Sequence, residues 1–434
     1  MPPIHAPYQL DTLLDLCQAE GGQHIARHAS FVLHSHFQPI YSFAHRRVVG
    51  HEGLMRAWSD AGKVLSPYTV FASARSESEL VTLDRLSRLL HARNFVTQMQ
   101  ASQEPAHWLF LNAEPNAFAH AGQYGRFFPE MLDKLQLPPQ QVVVEVLETA
   151  IENNRALSRA VDYFRDMGCL IAIDDFGAGH SNVDRVWRLR PDIVKLDRTL
   201  IADASENREA RLILPGLVSL LHEAGSLVLA EGIETEEEAL LALEADCDLA
   251  QGYYFARPSP SILSAEPTNP VFDTLWQHFN THVREEIDQT QRQLAPYRTA
   301  LLKGAARLAD GDEFGLAAQP FMDEPAAIRC FLLDAEGRQV GANLTPTAPA
   351  SEKAPRFSPL DDARGAIWSR RHYFRQAMKR FGELQISRPY LSIVGEEQCV
   401  TLSLGITLQG QQHVLCGDLL WQSPSEFDVR PSSV

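Results

Sequence analysis

A chain of 434 residues, 45% hydrophobic and 22% charged, has an ordinary globular composition and length enough for roughly two or three domains. Its 39 basic and 55 acidic side chains leave a formal charge of −16, which disfavours a general binder of DNA, RNA polymers or anionic membranes but leaves room for a small phosphate ligand held through metal ions. The 6 cysteines form no CxxC pair, which argues against a disulfide or zinc framework. The opening MPPIHAPYQL lacks a basic-then-apolar leader, and the most apolar stretch, LILPGLVSLL at 212–221, is far short of a membrane span, so a cytoplasmic location is expected.

Residues 1–30 are expected to form an N-terminal helical segment, from the weak spacing of Leu10, Leu13, Leu14 and Cys17 ahead of Gly21 and Gly22. Short apolar runs follow: FVLHSHFQPIYSF, VVGHEGLMRAW, HWLFLNAE, QVVVEVLET, CLIAIDDFG, DIVKLD, LVLAEGIE and LAQGYYFARP. Most are separated by stretches of helical period such as SESELVTLDRLSRLLHARNFV. Strands alternating with helices predict crossover units and a parallel sheet. About eight runs in ~230 residues suit a TIM-type (β/α)8 barrel better than an open doubly wound sheet. Neither GxGxxG nor GxxxxGK[ST] occurs in this region.

Almost every run ends in a polar residue: Glu52, Asn112, Glu145, Asp174 with Asp175, Lys195, Glu231 and Gln251. Any one of these alone is more simply a helix N-cap or a solvated strand end. In a β/α barrel, however, the carboxyl ends of the strands converge on one mouth, where the active site sits. Carboxylates and amides are hard oxygen donors suited to Mg²⁺ or Mn²⁺, and the chain has no HExxH. Adjacent strand residues face opposite ways, so Asp174 and Asp175 can share a site only where the strand stops. Their mutual repulsion becomes tolerable with divalent cations between them. A carboxylate bridging two metals is the arrangement used in phosphodiester hydrolysis, with a lysine to offset developing charge and a glutamate to take a proton.

The runs together resemble the EAL domain, the bacterial cyclic-di-GMP phosphodiesterase, over residues 31–262. HEGLMR at 51–56 stands where that family has E-A-L, two residues and an arginine; FLNAEP, VEVLET, IDDFGAGHSN, VKLDR, LAEGIET and AQGYYFARP follow in order. The resemblance implies that Glu52, Asn112, Glu145 and Asp174 hold one metal, with Asp174 shared and Asp175 on the second. It implies that Lys195 positions the attacking water and supports the phosphate, Glu231 is the general base, and Gln251 orients water. Gln38, Leu54, Arg56 and Glu234 match positions lining the dinucleotide pocket. Glu148 matches a residue that anchors the loop after the aspartate pair and couples metal binding to dimerisation, so a homodimer is expected. The implied reaction opens cyclic-di-GMP to linear pGpG with Mg²⁺ or Mn²⁺. Gly53 stands in place of the alanine and loosens the backbone beside a ligand, and the loop reads GAGHSN rather than GTGYSS. These departures favour, weakly, the competing reading of a catalytically silent cyclic-di-GMP receptor or interaction scaffold. An unrelated barrel lyase would share the strand-end acids but not the motif order.

Residues 263–305 are expected to form a linker helix that Pro296 interrupts. ARLADGDEFGLA, from 306, resembles the signature hairpin of diguanylate cyclases, but no βαβ unit of adequate size precedes it, so that reading is rejected. Residues 306–434 look like a small α+β regulatory domain of the PAS or Cache kind. IRCFLLDAEGRQVGANL reads as a hairpin, SRRHYFRQAMKRF as a basic amphipathic helix, and SRPYLSI, QCVTLSLGITL and HVLCGDLLW as strands, with GEE as a turn. Arg370, Arg371, Tyr373, Arg388 and Tyr390 either cup an anionic small molecule or form a solvated helix face with core aromatics. For any single one of them the second reading is preferred.

Overall fold

The structure, a computed structural model, describes residues 9–102, 107–113, 126–147, 154–178, 183–263, 270–346, 363–391 and 398–421. The chain divides into two compact units, Met1–Asn280 and Thr281–Val434.

Among the described residues of the expected N-terminal helical segment, only Leu10–Leu16 are helical. A hairpin follows, of β1 (Cys17–Glu20) and β2 (Gln23–His28), with Glu20 opposite Gln23. Gly21 and Gly22 both have positive φ, +59° and +87°, the conformation a two-residue hairpin turn needs. That turn outweighs the weak helical spacing.

Next come β3 (Phe31–Ser42), β4 (Arg47–Ser59), β5 (Val64–Leu65), β6 (Trp108–Asn112), β7 (Val142–Leu147), β8 (Leu170–Phe176), β9 (Ile193–Leu196), β10 (Leu227–Ala230) and β11 (Leu249–Ala250). From β4 through β6 to β11 each barrel strand is parallel to the next, and β3 closes the ring between β11 and β4. This is a (β/α)8 barrel. The all-parallel expectation needs one correction, because β3 is antiparallel to both neighbours. Only residues 43–46 join β3 to β4, and a parallel crossover needs a dozen or more.

The barrel floor is a small apolar cluster with one residue from nearly every strand: Ile40, Phe110, Val143, Ala172, Ile193, Leu229 and Leu249. β4 contributes Gly50 there, where a side chain would meet Phe110 at 3.0 Å. A larger apolar layer packs the strands' outer faces against the helices, among them Glu77–Ser102, Arg208–Glu223 and Glu236–Glu244. All 6 cysteines are buried and none forms a disulfide. No helix among the described residues is long and apolar enough to cross a membrane.

The second unit carries an antiparallel sheet of β12 (Ala327–Asp334), β13 (Gln339–Leu344), β14 (Gln385–Ile386), β15 (Tyr390–Leu391), β16 (Gln398–Leu408) and β17 (Gln411–Leu420). β12 and β13 form the expected hairpin, in which Asp334 Oδ1 accepts from the amides of Glu336 and Arg338. The basic helix runs His372–Lys379, and the GEE turn lies outside the described residues. The helix Pro270–Ala309 continues through Pro296, contrary to expectation. Leu294, Tyr297, Ala300 and Leu301 are buried around that proline, and their packing offsets the lost backbone bond. The cyclase-like segment forms no hairpin: it ends that helix and starts the next, Phe314–Met322.

Candidate active site and metal centre

Side chains on a strand repeat every second residue, so two residues beyond each floor position lies the next inward-facing one. Phe110 leads to Asn112, Val143 to Glu145, Ala172 to Asp174, Ile193 to Lys195, Leu229 to Glu231 and Leu249 to Gln251. Gly50 leads to Glu52, and on the reversed β3 the step from Ile40 runs back to Gln38, opposite Glu52. A polar layer therefore rests on an apolar floor, and its members come from strands spread along the chain.

Lys195 is the centre of that layer. It is 1% exposed, and its Nζ lies 2.5 Å from Glu145 Oε1, 2.6 Å from Glu231 Oε1, 2.8 Å from Asp174 Oδ1 and 4.0 Å from Glu52 Oε2. Glu52 accepts hydrogen bonds of 2.8 Å from Asn112 Nδ2 and from Gln251 Nε2. Burial alone would lower the lysine's pKa, but Asp174, Glu145, Glu231 and Glu52 together outweigh it and hold the ammonium charged. Burial, reinforced by Glu52, pushes Glu145 well above the carboxylate range despite Lys195. Burial does the same to Glu231, against the pull of Lys195.

The aspartate pair is accommodated by a bulge rather than by the strand's end. β8 continues to Phe176, its register with β9 shifts between Ile173 and Phe176, and Asp175 has φ +57°. The left-handed residue turns the backbone, as in a bulge, so that Asp174 and Asp175 both reach Glu231. The three offer carboxylate oxygens within 4.8 Å of one another, as do Glu52, Glu145 and Glu231. Burial and the neighbouring Asp174 push Asp175 up to about 6.

A divalent cation fits these residues. The donors are oxygens, the overlapping triplets share Glu231, and Glu145 Oε2 is buried without a hydrogen-bond partner among the described residues. Carboxylates this crowded around a single ammonium lack the positive charge that burial demands.

Beside the layer opens a cavity of about 240 Å³, lined by Gln38, Arg198, Glu234 and Tyr253 with Glu52, Glu231 and Gln251. Leu54 and Arg56 follow Glu52 on the same face of β4 but are not among its lining residues, and Arg56 donates to the Met55 carbonyl. Glu148 and residues 179–182 of the loop lie outside the described residues. Sequence reasoning passed over Arg198, which pairs with Glu234 at 2.8 Å, and Tyr253, whose ring lies 4.3 Å from the Arg257 guanidinium. Each stands within three residues of a named site residue, Lys195 or Gln251, the one signal that pointed to them. The loop after β10 is fixed by a capping box of Thr235 and Glu238, and Glu238 also accepts from the Glu234 amide.

A reversed-strand β/α barrel with an acid-and-lysine layer at its mouth defines a class of barrel proteins built around an oxygen-donor centre. Within that class the chain belongs to the EAL-domain family, whose model matches residues 27–258. It is 29% identical over 229 residues to the cyclic di-GMP phosphodiesterase RocR of Pseudomonas aeruginosa, covering 52% of this chain and 57% of RocR. It is 28% identical over 243 residues to the cyclic di-GMP phosphodiesterase PdeF of Escherichia coli, covering 55% of this chain and 32% of PdeF. A longer match, 25% identical over 363 residues, is the uncharacterised EAL-domain protein YkuI of Bacillus subtilis, covering 81% of this chain and 85% of YkuI. The YkuI crystal structure, solved with c-di-GMP and calcium, has TM-score 0.74 at 22% identity over 90% of this chain and 96% of that one, a likeness of fold. The chain spans 57% of RocR and 32% of PdeF, so it matches only part of these phosphodiesterases.

Proposed function

We propose that this chain hydrolyses one phosphodiester bond of cyclic-di-GMP, giving linear pGpG, with two divalent cations, Mg²⁺ or Mn²⁺. The observation that carries this reading is the polar layer: acids from four separate strands gathered around Lys195. The naming of RocR and PdeF as cyclic di-GMP phosphodiesterases supports the substrate. A phosphodiester anion would be repelled by these acids without cations, so the layer itself argues for metal.

Glu52, Asn112, Glu145, Asp174 and Asp175 would hold the cations, and when bound these would lower the pKa of a water and neutralise phosphate oxygens. Glu231, on the rim of the cavity, accepts the proton of the attacking water. The water oxygen bonds to phosphorus, the P–O3′ bond breaks, and the 3′ oxygen takes up a proton. Lys195 offsets the negative charge that grows on the phosphoryl oxygens, and Gln251, tied to Glu52, orients the water. Gln38 and Glu234 line the cavity that would receive a guanosine half, with Leu54 and Arg56 further along β4, and Glu148 would anchor the loop after the aspartate pair in a homodimer.

The domain reading is a barrel over 31–262, a connecting helix over 263–305 and a PAS/Cache-like regulatory domain over 306–434 that modulates turnover. In the C-terminal unit a cavity of about 430 Å³ is lined by Arg371, His372, Tyr373, Ser387, Arg388 and Tyr390. Arg329 is committed to the buried Asp418 at 2.6 Å, whereas Arg371 Nε has no hydrogen-bond partner among the described residues. This favours a small anionic ligand there, with Arg370 outside the lining.

The test is purified protein with cyclic-di-GMP and Mg²⁺ or Mn²⁺, nucleotides separated over time. Appearance of pGpG is expected. Tight binding of the dinucleotide with no product would select the receptor reading, and no binding at all would reject both.

A further inference from the structure

Gly53 lies between Glu52 and Leu54 in the middle of β4, paired with Phe37 on β3 and Leu111 on β6. Its φ is not positive, so the backbone does not demand glycine. Space does. A Cβ at this position would stand 2.9 Å from both Cβ and Cγ of His91, closer than real side chains approach. His91 comes from the helix Glu77–Ser102 and packs against the outer face of β4, while Glu52 projects from the inner face.

The imidazole is held firmly. It is 3% exposed, with Nδ1 2.8 Å from Ser35 Oγ and Nε2 3.2 Å from Ser87 Oγ. Ser35 Oγ also accepts from Asn94 Nδ2 at 3.2 Å, and Asn94 bridges the backbone of His24 in β2. Burial, with Arg56 nearby, pushes the ring down to about 3, so it is neutral in any ordinary buffer.

We propose that His91 is a positioning residue for Glu52: its ring, clamped by Ser35 and Ser87, occupies the space a side chain at position 53 would fill and sets the depth of β4, so that Gly53 and His91 act as a matched pair holding a metal ligand in place. On this account Gly53 does not loosen the strand beside Glu52, because the ring supplies the missing contact. The inference rests on the metal-binding reading above and concerns how that site is held. Partners behind a ligand commonly change metal affinity by about 10- to 100-fold when removed.

The experiment compares wild type, Gly53→Ala, His91→Ala and the double variant for Mn²⁺ binding, by the loss of the free-ion EPR signal, and for thermal midpoint. Gly53→Ala, in which methyl and ring compete, is expected to weaken Mn²⁺ binding about tenfold, and His91→Ala several-fold. The double variant, with methyl in and ring out, should return to within about threefold of wild type, a non-additivity that contacting residues produce. Mn²⁺ affinity unchanged across the variants while only the thermal midpoint moves would overturn the inference, leaving His91 a packing residue. A double variant weaker than either single one would overturn it too. Wild-type protein that takes up no Mn²⁺ overturns the metal reading and this inference with it, a result distinct from the other two. Should His91→Ala fail to fold, His91→Asn supplies the same comparison, since the amide is smaller than the ring and still reaches a serine hydroxyl.

Discussion

Replacing Lys195 with methionine probes the centre of the polar layer. The ammonium touches three carboxylates at 2.5–2.8 Å, and each such pair is worth about 6 kcal/mol gross at an effective dielectric of ~20. Desolvation cancels most of that, and breaking a buried pair typically costs about 3–5 kcal/mol. Glu145 and Glu231, already pushed upward by burial, take up protons when the lysine is removed, which moves the cost towards the lower end, about 3 kcal/mol. For a unit of this size that is a fall of roughly 6–12 °C in Tm. The assay is thermal denaturation of Lys195→Met and wild type in EDTA and again in excess Mn²⁺. Mn²⁺ at about a hundredfold over Kd stabilises either protein by ~2.7 kcal/mol, and the variant, with no ammonium competing for the acids, binds the cation more tightly, so at one Mn²⁺ concentration it gains more and the gap should narrow although turnover is lost. A variant that melts within about 2 °C of wild type in EDTA, or a gap that Mn²⁺ leaves unchanged, would refute the reasoning that acids around one lysine await cations.

Asp174→Asn and Glu52→Ala should each lower turnover by more than about 100-fold, with Mn²⁺ uptake reduced in parallel; normal uptake with lost turnover would move these residues out of the metal layer. His51 and His91 are both pushed down to about 3, burial being the first cause. Below about pH 6.5 the unfolded chain gains protons that these folded rings refuse, so each histidine removes up to about 1.4 kcal/mol of stability per pH unit as pH falls towards 3. Urea denaturation of His91→Gln at pH 7 and pH 5 should show a shallower loss than wild type, and an identical loss would contradict the buried neutral ring. Gly252→Ala sets a Cβ 2.0 Å from the Ile233 carbonyl oxygen, backbone that cannot swing aside, and should cost at least about 2 kcal/mol in urea denaturation and narrow the cavity that Gly252 lines. Arg371→Ala with Arg388→Ala should abolish any thermal stabilisation of the full chain by small carboxylates or phosphates; stabilisation that survives places their site elsewhere.

Much of the site was legible because the barrel strands obey a period of two. An apolar residue followed two positions later by an acid, amide or lysine is visible in FLN, VVE, AID, IVK, LAE and LAQ without any structure, since each run points one residue at the floor and the next of the same face at the mouth. The aspartate pair was legible as an anomaly only. Whether strand or turn carried it depended on the φ of Asp175, and a left-handed aspartate leaves no mark in composition. Runs of residues do not declare direction, so alternation alone predicts a parallel first barrel strand; the connection 43–46 is too short for a crossover and makes it antiparallel. The N-terminal hairpin was missed because a glycine pair ends a helix and turns a hairpin equally well.

What the chain's order of residues determined by itself was the inventory: which side chains could carry the chemistry and that they sit at strand ends, because alternation along a strand is a local property of the backbone. What only the tertiary structure decided was adjacency. Closing the ring brings Lys195 among acids from four other strands, puts Arg198 beside Glu234, and sets His91 into the space at Gly53, and such contacts depend on how strands and helices pack at distances no local pattern encodes.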